Sequence, residues 1–205
     1  MMFIELFVPR GSVAPEGIRH MAERLGDVAA LTEGEEMHDG WRRVMESLTQ
    51  VVVHEPRMWA VDRRALAQDT APRYVVRFHV PAPWRKAMSP NLVAYATKVV
   101  SEVETDRERP YREPVVQVQV VGVTEGSLGL YGEPVDSERL VELIGEPYRQ
   151  DLAEGRAVRD PLCGVIVPLN DDTVTLEWEG TTHGFCCSGC REEFLRKKDK
   201  EAARS

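Results

Sequence analysis

One pattern occurs twice in the first two thirds of this 205-residue chain and limits the architectures open to it: strand, helix, strand. Phe3-Ile4-Glu5-Leu6-Phe7-Val8 alternates as a strand with one apolar face does. A turn carrying Pro9, Gly11 and Pro15 leads into a helical stripe of Ile18, Met21, Ala22, Leu25 and Val28. LTEGEEMHDG reads as a loop before helical WRRVMESL, and TQVVVHEPRMWAVD supplies the second strand with an extension containing Trp59. The order then recurs. RYVVRFHV is a strand, SPNLVAYATKVVSEV a helix with Ser89 as N-cap and Pro90 in its first turn, and VVQVQVVGV a strand of period two. The repeat is roughly seventy residues long, and two such units make one sheet whose central strands lie antiparallel.

EGSLGLYGEPV follows as a glycine-bearing turn or short hairpin, and DSERLVELIG as a short helix closed by Gly145. EPYRQDLAEGRAVRD is polar and aperiodic, as a linker would be. The expected fold class is therefore α+β: a duplicated β-α-β sheet with helices on one face, plus a small knuckle-like module of a β-hairpin and a helix. The expected boundaries are 1–150 for the sheet domain, 151–159 for the linker, 160–198 for the small module and 199–205 for the tail.

The small module carries all four cysteines of the chain, and three of them crowd into FCCSGC, Phe185 to Cys190. Twenty-two residues separate Cys163 from Cys186, and three separate Cys186 from Cys190. TVTLEWEG, a turn at Gly180 and THGFC form a hairpin, and SGCREEFLRKK starts a helix with Ser188 as its cap. That knuckle brings two thiols together while Cys163 arrives from the other arm. A module of about forty residues gains too little from core burial to stand alone, and a bound ion would stabilise it. Soft thiolates suit zinc, with copper as the alternative. Cys163, Cys186 and Cys190 are the expected ligands. Cys187, His183 and Asp160 are candidates for the fourth position, which water or a partner's group could also fill. Cys187 reads first as an incidental extra thiol. Metal-free buried thiols and a Cys186–Cys190 redox disulfide are the competing readings.

Two resemblances add to this. DPLCG at 160–164, WEGTTHGFC at 178–186 and CCSGCREEF at 186–194 resemble the YHS or TRASH family of small metal-binding domains, with Cys187 where the family usually has serine. The resemblance implies a metal site at Cys163, Cys186 and Cys190 and a role in metal handling or in docking to a partner protein. MFIELFVPRGSV, LTQVVVHEPRMWAVD and VVQVQVVGVTEGSLGLYGEPV resemble the tautomerase superfamily, in its two-unit members of the macrophage migration inhibitory factor type. That likeness implies a homo-oligomer, a trimer, and a general base made from an N-terminal proline. Here Met2 takes that place, and the nitrogen of Pro72, where the second unit begins, is an amide without a basic lone pair. The catalytic residues of such a domain are therefore unknown, and proline-dependent tautomerase chemistry is not expected. A pocket near Met2, Trp59, Arg63 and Arg64 is the candidate remnant.

Composition narrows the partners. A net charge of -8 gives no basic face for nucleic acid, and the Arg196–Lys198 run is interleaved with acids as on a solvated helix. No apolar run is long enough to span a membrane, and MMFIELFVPRGSV lacks the features of a secretory signal, so a cytoplasmic location is expected. The leading expectation is a metal-binding protein on a catalytically degenerate tautomerase-like scaffold. The alternative is an enzyme acting on a small keto or enol acid without the proline, its arginines holding the carboxylate.

Overall fold

The computed structural model describes residues 2–31, 39–67 and 70–202. Most of the expected loop after Leu31 and the end of the tail lie outside them. The chain forms two compact units, Met1–Leu31 with Leu48–Glu125, and Thr32–Ser47 with Gly126–Ser205.

In the first unit the chain runs β1 (Phe3–Phe7), α1 (Pro15–Gly26), α2 (Val28–Leu31) and β2 (Gln50–His54), while the intervening α3 (Asp39–Ser47) belongs to the second unit. A ribbon of β3 (Ala60–Val61) and β4 (Arg64–Ala65) precedes β5 (Tyr74–Pro81), α4 (Arg85–Val103), the single turn α5 (Arg109–Arg112) and β6 (Val116–Val123). The sheet order is β2-β1-β5-β6. β1 is parallel to β2, β5 is parallel to β6, and β1 meets β5 antiparallel, pairing Leu6 with Val76. This is the duplicated β-α-β sheet that the repeat implies. Alternation selects its buried face. Ile4, Leu6 and Val8 of the first repeat and Tyr74, Val76, Phe78 and Val80 of the second are buried, as are Met21 and Leu25 of α1 and Leu92, Tyr95, Ala96, Val99 and Val100 of α4. The Tyr95 hydroxyl donates to the Arg24 carbonyl at 2.5 Å, tying the two long helices together.

The second helix starts earlier than Ser89. A 3-10 turn at Ala82–Trp84 containing Pro83 leads directly into α4, so Pro83 rather than Pro90 supplies the preset backbone angle at the entry. Pro90 lies inside the helix, and Ser89 Oγ donates to the Arg85 carbonyl at 2.7 Å instead of capping an amide. The charged segment after α4 is pinned rather than loose. Glu104, with its side chain 6% exposed, accepts from the Tyr74 hydroxyl at 2.7 Å and from Arg109, whose other arm donates to the Pro72 carbonyl at 3.0 Å.

The opposite face of the sheet gathers polar groups on Glu5. Its carboxylate accepts from Arg77 at 3.2 Å and meets His79 Nε2 at 2.8 Å, and Arg77 also donates to Gln119 at 2.8 Å. His54 stacks on Phe7 at 4.3 Å, and its Nε2 lies 3.2 Å from Glu5 without an aligned hydrogen bond. The two strand histidines thus belong to a structural cluster around one carboxylate.

The second unit contains, besides α3, the hairpin β7 (Leu128–Leu130) and β8 (Glu133–Val135), α6 (Ser137–Gly145), α7 (Arg149–Ala153), β9 (Ala157–Arg159), β10 (Ile166–Pro168), β11 (Val174–Trp178), β12 (Thr181–Phe185) and α8 (Ser188–Ala202). Its boundary falls at Gly126 rather than near 150, because α6 packs on later residues: a Cβ at Gly145 would lie 3.2 Å from Ile166. The segment expected as a linker, 151–159, holds the end of α7 and the whole of β9, which pairs with β10. Three residues are too few for a period to show in sequence, so the strand is set by its partner. α8 likewise continues past Lys198 into the expected tail. Among the described residues no helix is long and apolar enough to cross a membrane.

The hydrogen bond with His79, followed by those of Arg77 and their charges, outweighs burial and holds the Glu5 carboxyl below its usual value of 4.5. A depressed carboxylate stabilises the fold above its unfolded pKa, and that contribution disappears as pH falls through the folded one. Glu5→Gln should therefore be less stable than wild type in urea at pH 7, with the gap closing as both are titrated below about pH 4.

Candidate metal centre

The cysteines are assembled by two tight backbone devices. β9 ends at Arg159, and from Asp160 the chain turns through Pro161–Gly164 and comes back as β10. The Asp160 main-chain N–H donates to Val165 at 2.9 Å, the Asp160 carbonyl accepts from Gly164 at 2.8 Å, and Gly164 adopts φ 78°, a left-handed conformation that glycine enters without strain. The Asp160 side chain, 1% exposed, closes the turn from within: Oδ1 accepts the amides of Leu162 at 2.8 Å and Cys163 at 3.3 Å. Its Oδ2 accepts the Cys186 amide at 2.9 Å. One carboxylate therefore holds the Cys163 turn to the end of β12.

The second device is the hairpin of β11 and β12, whose two-residue turn places Glu179 at φ 50° and Gly180 at φ 76°. It presents Val174 and Phe185 to Phe194 of α8, with Leu176, Trp178 and Cys190 packed around them. Gly184 is required where this hairpin passes the preceding strand, since a Cβ there would lie 2.7 Å from the Val158 side chain. α8 begins at Ser188, so the cap position falls on Cys187 rather than on Ser188.

The result is a group of four sulfurs with one carboxylate. Cys186 Sγ lies 3.6 Å from Cys163 Sγ, 3.5 Å from Cys190 Sγ and 3.8 Å from Cys187 Sγ. Ligand atoms of Asp160, Cys163, Cys186 and Cys190 all fall within 4.8 Å of one another, a set that could hold a metal ion. Zinc–thiolate bonds of about 2.3 Å at tetrahedral angles put sulfurs about 3.8 Å apart, a spacing that the observed separations approach. Hydrogen bonding within the thiol cluster, first of all with Cys186, holds the Cys163 and Cys187 thiols well below their usual range, and in the same network Cys186 and Cys190 are pushed up. Burial pushes the Asp160 carboxyl up, the Cys163 thiolate adds to this, and the three amides oppose it.

The sequence-expected residues divide clearly. Cys163, Cys186 and Cys190 come together, Asp160 joins them, and Cys187 touches the cluster through Cys186. His183 stands outside that group, its ring 5.2 Å from Phe194. In the other unit, Met2 is buried just before β1, while half-buried Trp59 and exposed Arg63 and Arg64 lie on the β3–β4 ribbon. Asp62 and Arg63 take positive φ of 50° and 61° there, the geometry of a two-residue hairpin turn. A pocket of about 430 Å³ in that unit is lined by Gly11, Ser12, Val13, Ala14, Pro15, Ile18 and Glu55, and none of those four belongs to it. The amide-clamping role of Asp160 escaped sequence reasoning, though an Asp opening a Pro-containing turn before a glycine signals an Asx turn.

No protein-family profile matches this chain, and no curated protein does. Among solved structures it is similar to Pt0534 inactivated by 2-oxo-3-pentynoate, at 12% identity over 67% of this chain and 98% of the other, with a TM-score of 0.48. It is likewise similar to N1, a member of the cis-3-chloroacrylic acid dehalogenase family, at 12% identity over 74% of this chain and 99% of the other, TM-score 0.48. A macrophage migration inhibitory factor-like protein from Entamoeba histolytica matches at 7% identity over 65% of this chain and 97% of that one, TM-score 0.45. At these distances the likenesses assign no activity to this chain.

Asp160→Ala would strip three amides of their acceptor in a buried site. Each orphaned amide costs about 1–3 kcal/mol, so the variant should lose several kcal/mol in urea denaturation, and amide exchange at Leu162, Cys163 and Cys186 should accelerate.

Proposed function

We propose that this chain is a metal-binding protein whose cysteine-bearing unit takes a thiophilic ion, zinc or else copper, through Cys163, Cys186 and Cys190, and that it serves in metal handling or in docking to a partner protein. The observation that carries the reading is the sulfur spacing of 3.5–3.8 Å around Cys186, achieved by side chains from a turn, a strand end and a helix start. The hairpin and helix there share a core cluster whose buried members are Val174, Phe185 and Phe194, and an ion would add binding free energy to folding. In this reading the sheet unit is a catalytically degenerate tautomerase-like scaffold. The residue before β1 is Met2, and no secondary amine is available at Pro72.

Full-length protein as purified should contain one zinc or copper per chain by elemental mass spectrometry. Cys163→Ser and Cys186→Ser should lose it, and a chelator should loosen the β11–β12 hairpin by amide exchange. Metal-free protein with a hairpin indifferent to chelator and to added zinc would sink the reading.

The scaffold role also expects assembly with copies of this chain, three by resemblance. Structures similar to this one include a fused 4-OT described as a symmetric trimer, which matches 65% of this chain at 12% identity with a TM-score of 0.45. Sedimentation equilibrium should give the mass of a homo-oligomer, and a single-chain mass at all concentrations would remove this part of the proposal.

A further inference from the structure

Three thiolates leave a tetrahedral ion one ligand short, and we infer that Asp160 supplies it, giving a closed centre of three sulfurs and one carboxylate oxygen. The assignment rests on the metal-binding reading above. It also decides between the two ions named there, because zinc takes this mixed donor set in full and copper(I) does not.

Three observations carry it. The first is distance. Asp160 offers a carboxylate oxygen within 4.8 Å of the sulfurs of Cys163, Cys186 and Cys190, which lie within the same distance of one another. Around a tetrahedral ion, bonds of about 2.3 Å to sulfur and about 2.0 Å to oxygen put sulfur and oxygen about 3.5 Å apart, inside that limit. Cys187 Sγ lies 3.8 Å from Cys186 Sγ but is not a member of the set, and His183 stands beside Phe194. The second is the number of acceptor positions. A carboxylate has about four lone-pair sites. Oδ1 uses two for the amides of Leu162 and Cys163, and Oδ2 uses one for the amide of Cys186. One remains, on Oδ2. A single bond from it to the ion keeps all three amide contacts, so Asp160 both orients Cys163 and Cys186 and ligates the ion they hold.

The third is charge. Asp160 is 1% exposed, its partners are main-chain amides, and among the described residues no arginine, lysine or histidine forms an ion pair with it. Buried charges are paired or bound to metals. Amides supply dipoles but no net charge, and a divalent ion at the sulfurs supplies the cation. The choice of ion follows from the donors. Thiolates suit copper(I) and zinc alike, whereas a carboxylate oxygen is a harder donor that zinc accepts and copper(I) leaves aside. Zinc therefore uses all four groups and copper(I) only the three sulfurs. With four protein ligands the zinc has no open position, as in structural sites.

The test is X-ray absorption on full-length protein reconstituted with zinc. Wild type should show three sulfurs at about 2.3 Å and one oxygen at about 2.0 Å, without the scattering pattern of an imidazole, and Cys187→Ser should leave that shell unchanged. The cobalt(II)-substituted protein should keep its visible spectrum when azide is added, because no water holds the fourth position. Asp160→Asn keeps an oxygen for the amides of Leu162 and Cys163 but removes the anionic ligand. Zinc affinity should then fall by more than the roughly 100-fold that a change behind the ligands costs, while copper(I) affinity, read against a chromogenic chelator, changes less than about tenfold. Four sulfurs in wild type, a cobalt spectrum that shifts with azide, or equal losses of zinc and copper(I) in Asp160→Asn would each overturn the assignment and leave metal binding standing. If that variant does not fold, the wild-type shell and the azide response decide. Failure of wild type to take up either ion would overturn both readings.

Discussion

The carboxylate of Asp160 is where the cysteine-bearing unit is tied together. It sits 1% exposed and accepts amides from two segments more than twenty residues apart, those around Cys163 and at Cys186. With it, the turn after β9 and the end of β12 share one anchor, and the sulfur of Cys163 comes within 3.6 Å of Cys186. Hydrogen bonds to a charged acceptor are among the stronger ones available to a fold, and in a buried site losing the acceptor costs more than making the bond gains.

The hairpin does the remaining positioning by packing. Phe185 and Phe194 meet edge to face at 5.5 Å, which holds the second turn of α8 against the end of β12. Cys190 projects from the first turn of α8 and Cys187 immediately precedes it, so the spacing of the last three sulfurs is a property of one strand-to-helix corner. Gly184 permits the close pass of β12 over Val158 that places this corner beside the Cys163 turn.

The sheet unit obeys a different constraint. Two strand-helix-strand repeats each cover one face of their own strands, and joining β1 to β5 antiparallel puts both helices on the same side. The other side is left with Phe3, Phe7 and the Glu5 cluster, a face that is part aromatic and part polar. Glu5 serves there as the common partner of Arg77 and His79. The cluster therefore gives the histidines of the strands a structural role rather than a ligand's, as neither lies in the sulfur centre.

Much of this was legible in the amino-acid order. The period-two runs of β1, β5 and β6 and the helical stripes of α1 and α4 are long enough for their burial pattern to announce the duplicated sheet, and the crowding of Cys186, Cys187 and Cys190 announces a thiol centre. The start of α4 was misplaced because two prolines, Pro83 and Pro90, both fit a first turn, and only packing distinguishes them. β9 was missed because three residues carry no period, and its place depends on β10. By itself, then, the sequence determined most element types, the repeat and the thiol character of the cysteine cluster, since these depend on local spacing and side-chain identity. Only the tertiary structure decided where the units divide, that Asp160 serves the main chain, and which sulfurs meet, because those depend on contacts between residues far apart in the chain.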